Sequence, residues 1–322
     1  MNQLTGPGQI GIAGGSSRPR GVTADEPIGI FDSGMGGLTV ARSIVDSLPD
    51  ESVVYFGDTK RCPYGVRKPA EIREFVRQIG SWFMRRRVKV IVIACNTATS
   101  AALPMAQRTF GVPVIGVVDP GARAAIQSTR NGRVGVIATP LTIASDAYAS
   151  AIRRMDAGVS VVSLATPDFV TIVEDELATG RHLHDDWRRN NTVFMTDEVR
   201  SVVRANLSPL VGTGIDTLVL GCTHFPLLAP AIREVLGPDV AIVSSAEETT
   251  KELAETLRRR RQLAGASGAA SYRFATTADD ITTFAAAGQF IFGRPLDSIE
   301  RVDVDELEGL PTTGAATRAE AR

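Results

Sequence analysis

The sequence predicts an α/β protein with mostly parallel sheets covered by helices on both faces, in two related doubly wound domains. Three observations carry this. Apolar strands alternate with helical segments along the chain, the pattern of β-α-β units. Val88 to Ala94 (VKVIVIA) is nearly continuous β-branched sequence, as in a strand buried on both faces. The chain also echoes itself. IGIFDSG and VGVIATP each open a series, and each series later holds a strand ending in cysteine, VIVIACNTAT and TLVLGCTHFP. The offsets within the two series differ, so the echo is one of parts. Two related domains account for it, and so does the general likeness of buried strands.

Residues 28–32 (IGIFD) read as a short apolar strand, and Leu38 to Leu48 has helical spacing. Ser52 to Phe56 (SVVYF) is a second strand, and Ala70 to Arg86 is helical. The strand at 88–94 leads into a helix from Thr97 to Phe110, with a strand over Val112 to Val117. Gly132 to Ala138 (GRVGVIA) opens the second series. It continues with a helix near 143–155, a strand at 159–164, helices within 169–208 and the strand 216–220. A helix near 228–236, the strand 240–244, a helix over 246–262, the strand 272–275 and a helix over 278–288 complete the reading. Gly265 to Ser271 (GASGAAS) reads as a surface loop.

The 322 residues allow two domains of ordinary size. A hydrophobic fraction of 43% against 22% charged excludes a disordered chain. Thirty-five basic residues balance 36 acidic ones, so composition supplies no pull toward nucleic acid or an anionic membrane. No apolar run reaches the ~18–20 residues of a membrane span. Residues 1–26 lack the basic start and apolar core of a secretory signal and read as a flexible extension, as do residues 310–322. Three cysteines cannot build a disulfide framework, so free thiols in a reducing, cytoplasmic setting are expected. The Arg runs at 85–87 and 258–261 fall at helix C-termini, where positive charge suits the dipole.

Cys95 stands where an apolar strand stops and Asn96-Thr97 begins a helix; Cys222 follows Leu218-Val-Leu-Gly221 and precedes Thr223-His224. In open α/β sheets ligands bind at such strand ends, where free N–H groups and the helix dipole favour carboxylate and thiolate. Buried structural thiols are the ordinary alternative, and the default for Cys62 in KRCPYG. A metal site is a weaker one. Neither cysteine has a CxxC partner, and His182 and His184 form only a short H-x-H in the polar stretch HLHDDWRRNN. Two thiols on opposite sides of one substrate have a use of their own. One as thiolate removes a proton while the other as thiol supplies one from the opposite face, which inverts a stereocentre. His224, two residues from Cys222, is placed either to position a proton or to sit in the core.

Phe31-Asp-Ser-Gly-Met-Gly-Gly37 follows a strand and precedes a helix, with spacing wrong for a dinucleotide loop and without the Lys of a P-loop. It reads as a tight turn needing positive φ, or as backbone N–H groups holding an anion with Asp32 and Ser33 facing a cleft and Asp32 suited to an ammonium. Tyr64-Gly65, in a second loop at a strand end, either hydrogen-bonds a small ligand or caps a turn. Glu174 lies at helical spacing among apolar neighbours, where spacing alone leaves it solvent-facing.

IGIFDSGMGGLTV, YFGDTKRCPYG, ACNTATSAALP and LVLGCTHFPLL, in this order, resemble the glutamate racemases of the cofactor-independent aspartate/glutamate racemase family. The resemblance runs from about Ile28 to about Asp303 and includes VSSAEETTKELAETL and YRFATT. It implies that Cys95 and Cys222 are the catalytic acid/base thiols, assisted by Asp32 and His224 respectively. It implies that Asp32, Ser33, Tyr64, Gly65, Asn96, Thr97, Thr223 and His224 contact the amino acid, and that Glu174 is the family's further acidic residue. It implies an active site in the cleft between two domains, 27–119 plus 231–309 and 120–230, no cofactor and no metal. It further implies a homodimer and a role in supplying D-glutamate for peptidoglycan. None of the four lysines, Lys60, Lys68, Lys89 and Lys251, occupies an evident Schiff-base setting. Phe225 departs from the family, where Tyr is common. Aspartate racemase is the near alternative, since one methylene separates the substrates, worth only ~1–3 kcal/mol of discrimination; the GDTKRCPYG loop favours glutamate. A binding or regulatory protein without turnover is the alternative outside enzymes, against which the intact cysteine pair argues.

Overall fold

A computed structural model describes residues 23–180, 193–265 and 269–311. The chain first lays down β1 (Ile28–Asp32), α1 (Leu38–Ser47), β2 (Val53–Gly57), α2 (Pro69–Arg85), β3 (Val90–Ile93), α3 (Asn96–Thr109), β4 (Val114–Gly116) and α4 (Val118–Ser128). A second series follows: β5 (Arg133–Ala138), α5 (Pro140–Ala144), α6 (Ala147–Met155), β6 (Ser160–Ala165), α7 (Asp168–Thr179), α8 (Asp197–Leu207), β7 (Thr217–Gly221), α9 (Ala229–Leu236) and β8 (Ala241–Val243). The last part holds α10 (Ala246–Arg260), β9 (Tyr272–Thr276), α11 (Ile281–Phe292), β10 (Ile299–Arg301) and α12 (Val304–Glu308).

The strands form two sheets, ordered β10-β9-β2-β1-β3-β4 and β6-β5-β7-β8. All the pairings are parallel. The echo in the sequence is therefore an echo in topology, since β2-β1-β3-β4 and β6-β5-β7-β8 have the same order. In each, the strand order reverses beside the opening strand. That reversal leaves a crevice at the carboxyl ends of two strands, where ligands bind in this architecture. The crevices lie past β1 and β3 in the first half and past β5 and β7 in the second. Cys95 follows β3 after a single residue, Ala94, and Cys222 directly follows β7.

β1, β3 and β7 are buried along their whole length, as their β-branched and apolar sequences require. One apolar cluster runs from Ile28, Ile30 and Tyr55 to Phe169, Leu218 and Phe225, joining the inner faces of both halves.

Several details depart from the sequence reading. The helix expected near 143–155 breaks in two at Asp146, whose φ of 54° is one that a short polar side chain tolerates. Residues 231–243 were expected with the first domain, but β8 hydrogen-bonds β7 in the second sheet, so the return to the first sheet comes after Val243. β10 and α12 had no counterpart in the sequence reading. Residues 23–26, expected in a flexible extension, are tied down. Lys89 Nζ donates to the Ala24 carbonyl at 2.5 Å, and Arg87 pairs with Glu26. Residues 1–22, 266–268 and 312–322, and the HLHDDWRRNN stretch, lie outside the described residues.

Lys89, the charge that interrupts the VKVIVIA run, is 1% exposed, and its Nζ lies 2.5 Å from Oε2 of Glu51, itself 2% exposed. Glu51 Oε1 accepts from the Ala264 N–H at 2.9 Å. This pair ties the start of β3 to the segments before β1 and after α10. Removing one partner strands a buried charge, which costs about 3–5 kcal/mol. Lys89→Met is expected to lower unfolding free energy by about that much in urea titration. A change below about 1 kcal/mol would mean that the pair contributes little.

Candidate active site

Cys95 is the N-cap of α3, with its Sγ accepting from the Ala98 N–H at 3.4 Å and donating toward Ser33 Oγ at 3.7 Å. Burial, and next the charge of Asp32, push its thiol up to about 12, against the Ala98 and Ser33 hydrogen bonds, which act to lower it. Cys95 therefore holds its proton. Cys222 has a different neighbour. Its Sγ lies 3.6 Å from His224 Nδ1, and His224 Nε2 lies 2.5 Å from Glu174 Oε1. Burial alone would lower the imidazole pKa, but the hydrogen bonds to Cys222 and Glu174 and the Glu174 charge raise it well above its ordinary value. Each ring nitrogen thus faces a partner, Cys222 Sγ on one side and the Glu174 carboxylate on the other, an arrangement that favours the doubly protonated ring.

Both thiols line one cavity of about 20 Å³, together with Ser33, Tyr64, Gly65, Asn96, Thr97, Thr223 and His224 from the sequence reading. That is room for about one water molecule. Asp32 and Glu174 stand behind this wall. Asp32 is fully buried; its Oδ2 accepts from the Gly34 N–H at 3.1 Å and its Oδ1 from Thr223 Oγ1 at 3.3 Å. Burial raises its pKa, while His224 and the N–H groups of Gly37 and Gly34 act to lower it. It influences Cys95 by its charge.

The glycine turn departs from the positive-φ reading of its sequence, while Ser33 lines the cavity as the other reading expects. Gly34, Gly36 and Gly37 are absent from the positive-φ residues, and the anion that the turn's N–H groups hold is the protein's own Asp32. The glycines serve close approach. A Cβ on Gly36 would fall 2.6 Å from Thr223 Oγ1 and 2.7 Å from His224 Nδ1, and one on Gly37 would fall 2.4 Å from Asp32 Cβ. The turn after β1 is thus the socket for the turn after β7.

Tyr64 lines the cavity, but its hydroxyl donates to Asp58 Oδ2, which also accepts from Arg61 Nε at 2.7 Å. Asp58 Oδ1 takes a further hydrogen bond from Thr277 Oγ1 at 3.0 Å, fixing the loop to the end of β9. Glu174, expected at the surface on spacing alone, is turned inward by α7 to reach His224. Phe225 packs edge-on against Phe169 at 5.2 Å between centroids, in the apolar cluster.

Sequence reasoning missed Thr139 and Val170, which also line the cavity. Thr139 Oγ1 lies 2.9 Å from Thr97 Oγ1 and 3.0 Å from Thr142 Oγ1, and a Cβ on Gly65 would fall 2.7 Å from Thr139 Cβ. The signal was present: Thr139 follows β5 as Ser33 follows β1. Val170 left none.

The fold and cavity define a two-domain α/β protein with a small cavity, lined by two thiols, at the seam of its halves. Residues 28–253 match the model of the Asp/Glu/Hydantoin racemase family, and the chain belongs to that family. It is 42% identical to the glutamate racemase of Geobacter metallireducens over 278 residues, covering 86% of this chain and 97% of the relative. The glutamate racemase of Corynebacterium diphtheriae is 43% identical, with 85% and 97% covered. Among solved structures, a glutamate racemase isoform from Bacillus anthracis superposes with a TM-score of 0.77 at 40% identity, covering 87% of this chain and 98% of its own. The Francisella tularensis glutamate racemase in complex with D-glutamate gives 0.77 at 32% identity, with 88% and 99% covered.

Two expectations follow. Nitrogen-15 NMR should find the His224 ring doubly protonated well above pH 6.5, and Glu174→Gln should bring its midpoint down. Because the folded pKa is the raised one, the stability that this contact lends is complete below about pH 6.5 and fades as pH climbs through the folded midpoint. A neutral wild-type ring at pH 6 would contradict the assignment. Gly36→Ala should force Thr223 and His224 outward, read as faster amide exchange at residues 222–224 in an otherwise native fold.

Proposed function

We propose that the chain is a glutamate racemase that interconverts L- and D-glutamate by a cofactor-independent two-thiol mechanism, supplying D-glutamate for peptidoglycan. The observation that carries this is one small cavity lined by two cysteines in unlike environments. Glutamate displaces far more than one water, so the halves must part to admit it and close again around it.

The α-hydrogen of an amino acid is a very weak acid, so the carbanion-like transition state needs close, desolvated contacts. For one enantiomer, Cys222 as thiolate beside the His224 imidazolium removes the α-proton, and the Cys95 thiol delivers its own to the opposite face. For the other enantiomer the roles reverse, with Asp32 serving Cys95. Each turnover leaves the sulfurs in exchanged protonation states, which proton transfer through His224 and solvent resets. Asn96, Thr97, Ser33, Thr223 and the 64–65 backbone hold the substrate's ammonium and carboxylates. The same reading makes the working form a homodimer in the cytoplasm.

Purified protein without added cofactor should racemise glutamate in D₂O with α-deuterium incorporated, followed by optical rotation and mass spectrometry. Cys95→Ser and Cys222→Ser should each lower turnover by at least about 10²–10⁴-fold. Wild-type turnover in both variants would sink the two-thiol mechanism. Preference for aspartate would move the substrate, and absence of exchange with any amino acid would sink the enzymatic reading.

A further inference from the structure

We propose that Tyr148 is a positioning residue for the reaction, whose hydroxyl orients the Asn96 amide in the cavity and links the turns of the two cysteines when the halves are closed. This rests on the racemase reading above and adds a residue to it.

Tyr148 belongs to α6, in the second half, and is 2% exposed. Its ring lies in a slot cut by two glycines. A Cβ on Gly221 would fall 3.1 Å from Tyr148 Cε2, and one on Gly121 would fall 2.8 Å from its Oη. Gly221 immediately precedes Cys222. The hydroxyl crosses the seam and donates to Asn96 Oδ1 at 2.6 Å, and Asn96 immediately follows Cys95. One side chain therefore touches the neighbour of each thiol, from opposite domains.

A primary amide has one accepting and one donating end. With Oδ1 engaged by Tyr148, the donor Nδ2 is left over. That atom is buried and has no partner among the described residues, although Asn96 is only 3% exposed and lines the cavity. A buried unpaired donor is costly and calls for an acceptor, and a substrate carboxylate is one. Burial, and the charge of Cys222, hold the phenol well above its ordinary pKa against a hydrogen bond from Ser245, so the hydroxyl keeps its proton and remains a donor. Without that hydroxyl the amide is free to turn over and present its oxygen to the carboxylate. Parting of the halves breaks the same bond, so the amide is set only in the closed form.

Tyr148→Phe keeps the ring in its slot and removes one oxygen. KM and kcat for both enantiomers are measured in the wild type, Tyr148→Phe, Asn96→Ala and the double variant, with thermal midpoints alongside. Tyr148→Phe is expected to raise KM about 10-fold in both directions, with a smaller effect on kcat. In the Asn96→Ala background it is expected to change KM less than about 2-fold, because the effect passes through the amide. An equal factor in both backgrounds, or no effect in either, overturns the proposal; a structural role of the ring alone gives one of those results. The coupling has a second readout independent of turnover. The Asn96 side-chain amide protons in nitrogen-15 spectra should shift and exchange faster with water in Tyr148→Phe, and unchanged amide signals overturn the proposal even if the protein proves inert toward glutamate. Inertness of the wild type with the amide shift present would instead count against the racemase reading alone.

Discussion

The approach of the second half's Thr223-His224 turn to the first half's glycine turn is the constraint on which the site depends. At Gly36 the gap admits a hydrogen atom and no carbon. That contact seats Thr223 on Asp32 and brings His224 within reach of Cys222 on one side and Glu174 on the other. It also closes Asp32 off from water entirely. Asp32 and His224 are buried together with the half-buried Glu174 against the ring, and they tolerate it because each is hydrogen-bonded and a positive ring would offset the carboxylates.

The same topology drawn twice explains why there are two thiols and one cavity. Each half reverses its strand order beside its opening strand and leaves a cysteine at that crevice. Facing the crevices toward each other puts both sulfurs on one enclosed space. What the duplication does not equalise is the surroundings. Cys95 has an N-cap hydrogen bond, a serine and a nearby carboxylate; Cys222 has a histidine. The two-thiol mechanism proposed above, in which one sulfur holds a proton while the other takes one, would draw on that difference.

Around the cavity, polar groups are largely engaged with one another. The Tyr64 hydroxyl is held by Asp58, and Thr97, Thr139 and Thr142 form a hydroxyl cluster across the seam. Such networks fix rotamers before a substrate arrives, which lowers the ordering cost of binding. Asn96 is the exception, with a donor left over.

The alternation of strands and helices, the buried strands at 28–32 and 90–93, and the two cysteine turns were legible in the sequence because they rest on local rules: apolar periodicity, N-cap chemistry and the position of ligands at strand ends. The family was legible in another way, as a resemblance carried by four contiguous motifs in order. Tertiary structure alone decided what those turns touch. Glu174 has the spacing of a surface residue and becomes a histidine partner only because α7 packs on the turn at residues 225–228, next to His224. Lys89 looks like a flaw in a strand until Glu51 arrives from the β2 approach. The glycines after Asp32 suggested positive φ or an anion loop; they hold the protein's own Asp32 and give clearance for residues nearly two hundred positions away. Tyr148 lies in unremarked sequence, and Thr139 in a turn noted only as an echo of the first; both gain their partners across the seam only when the halves meet. Hydrogen bonds and close contacts between distant segments depend on distances of tenths of an ångström, which hydrophobic pattern does not encode.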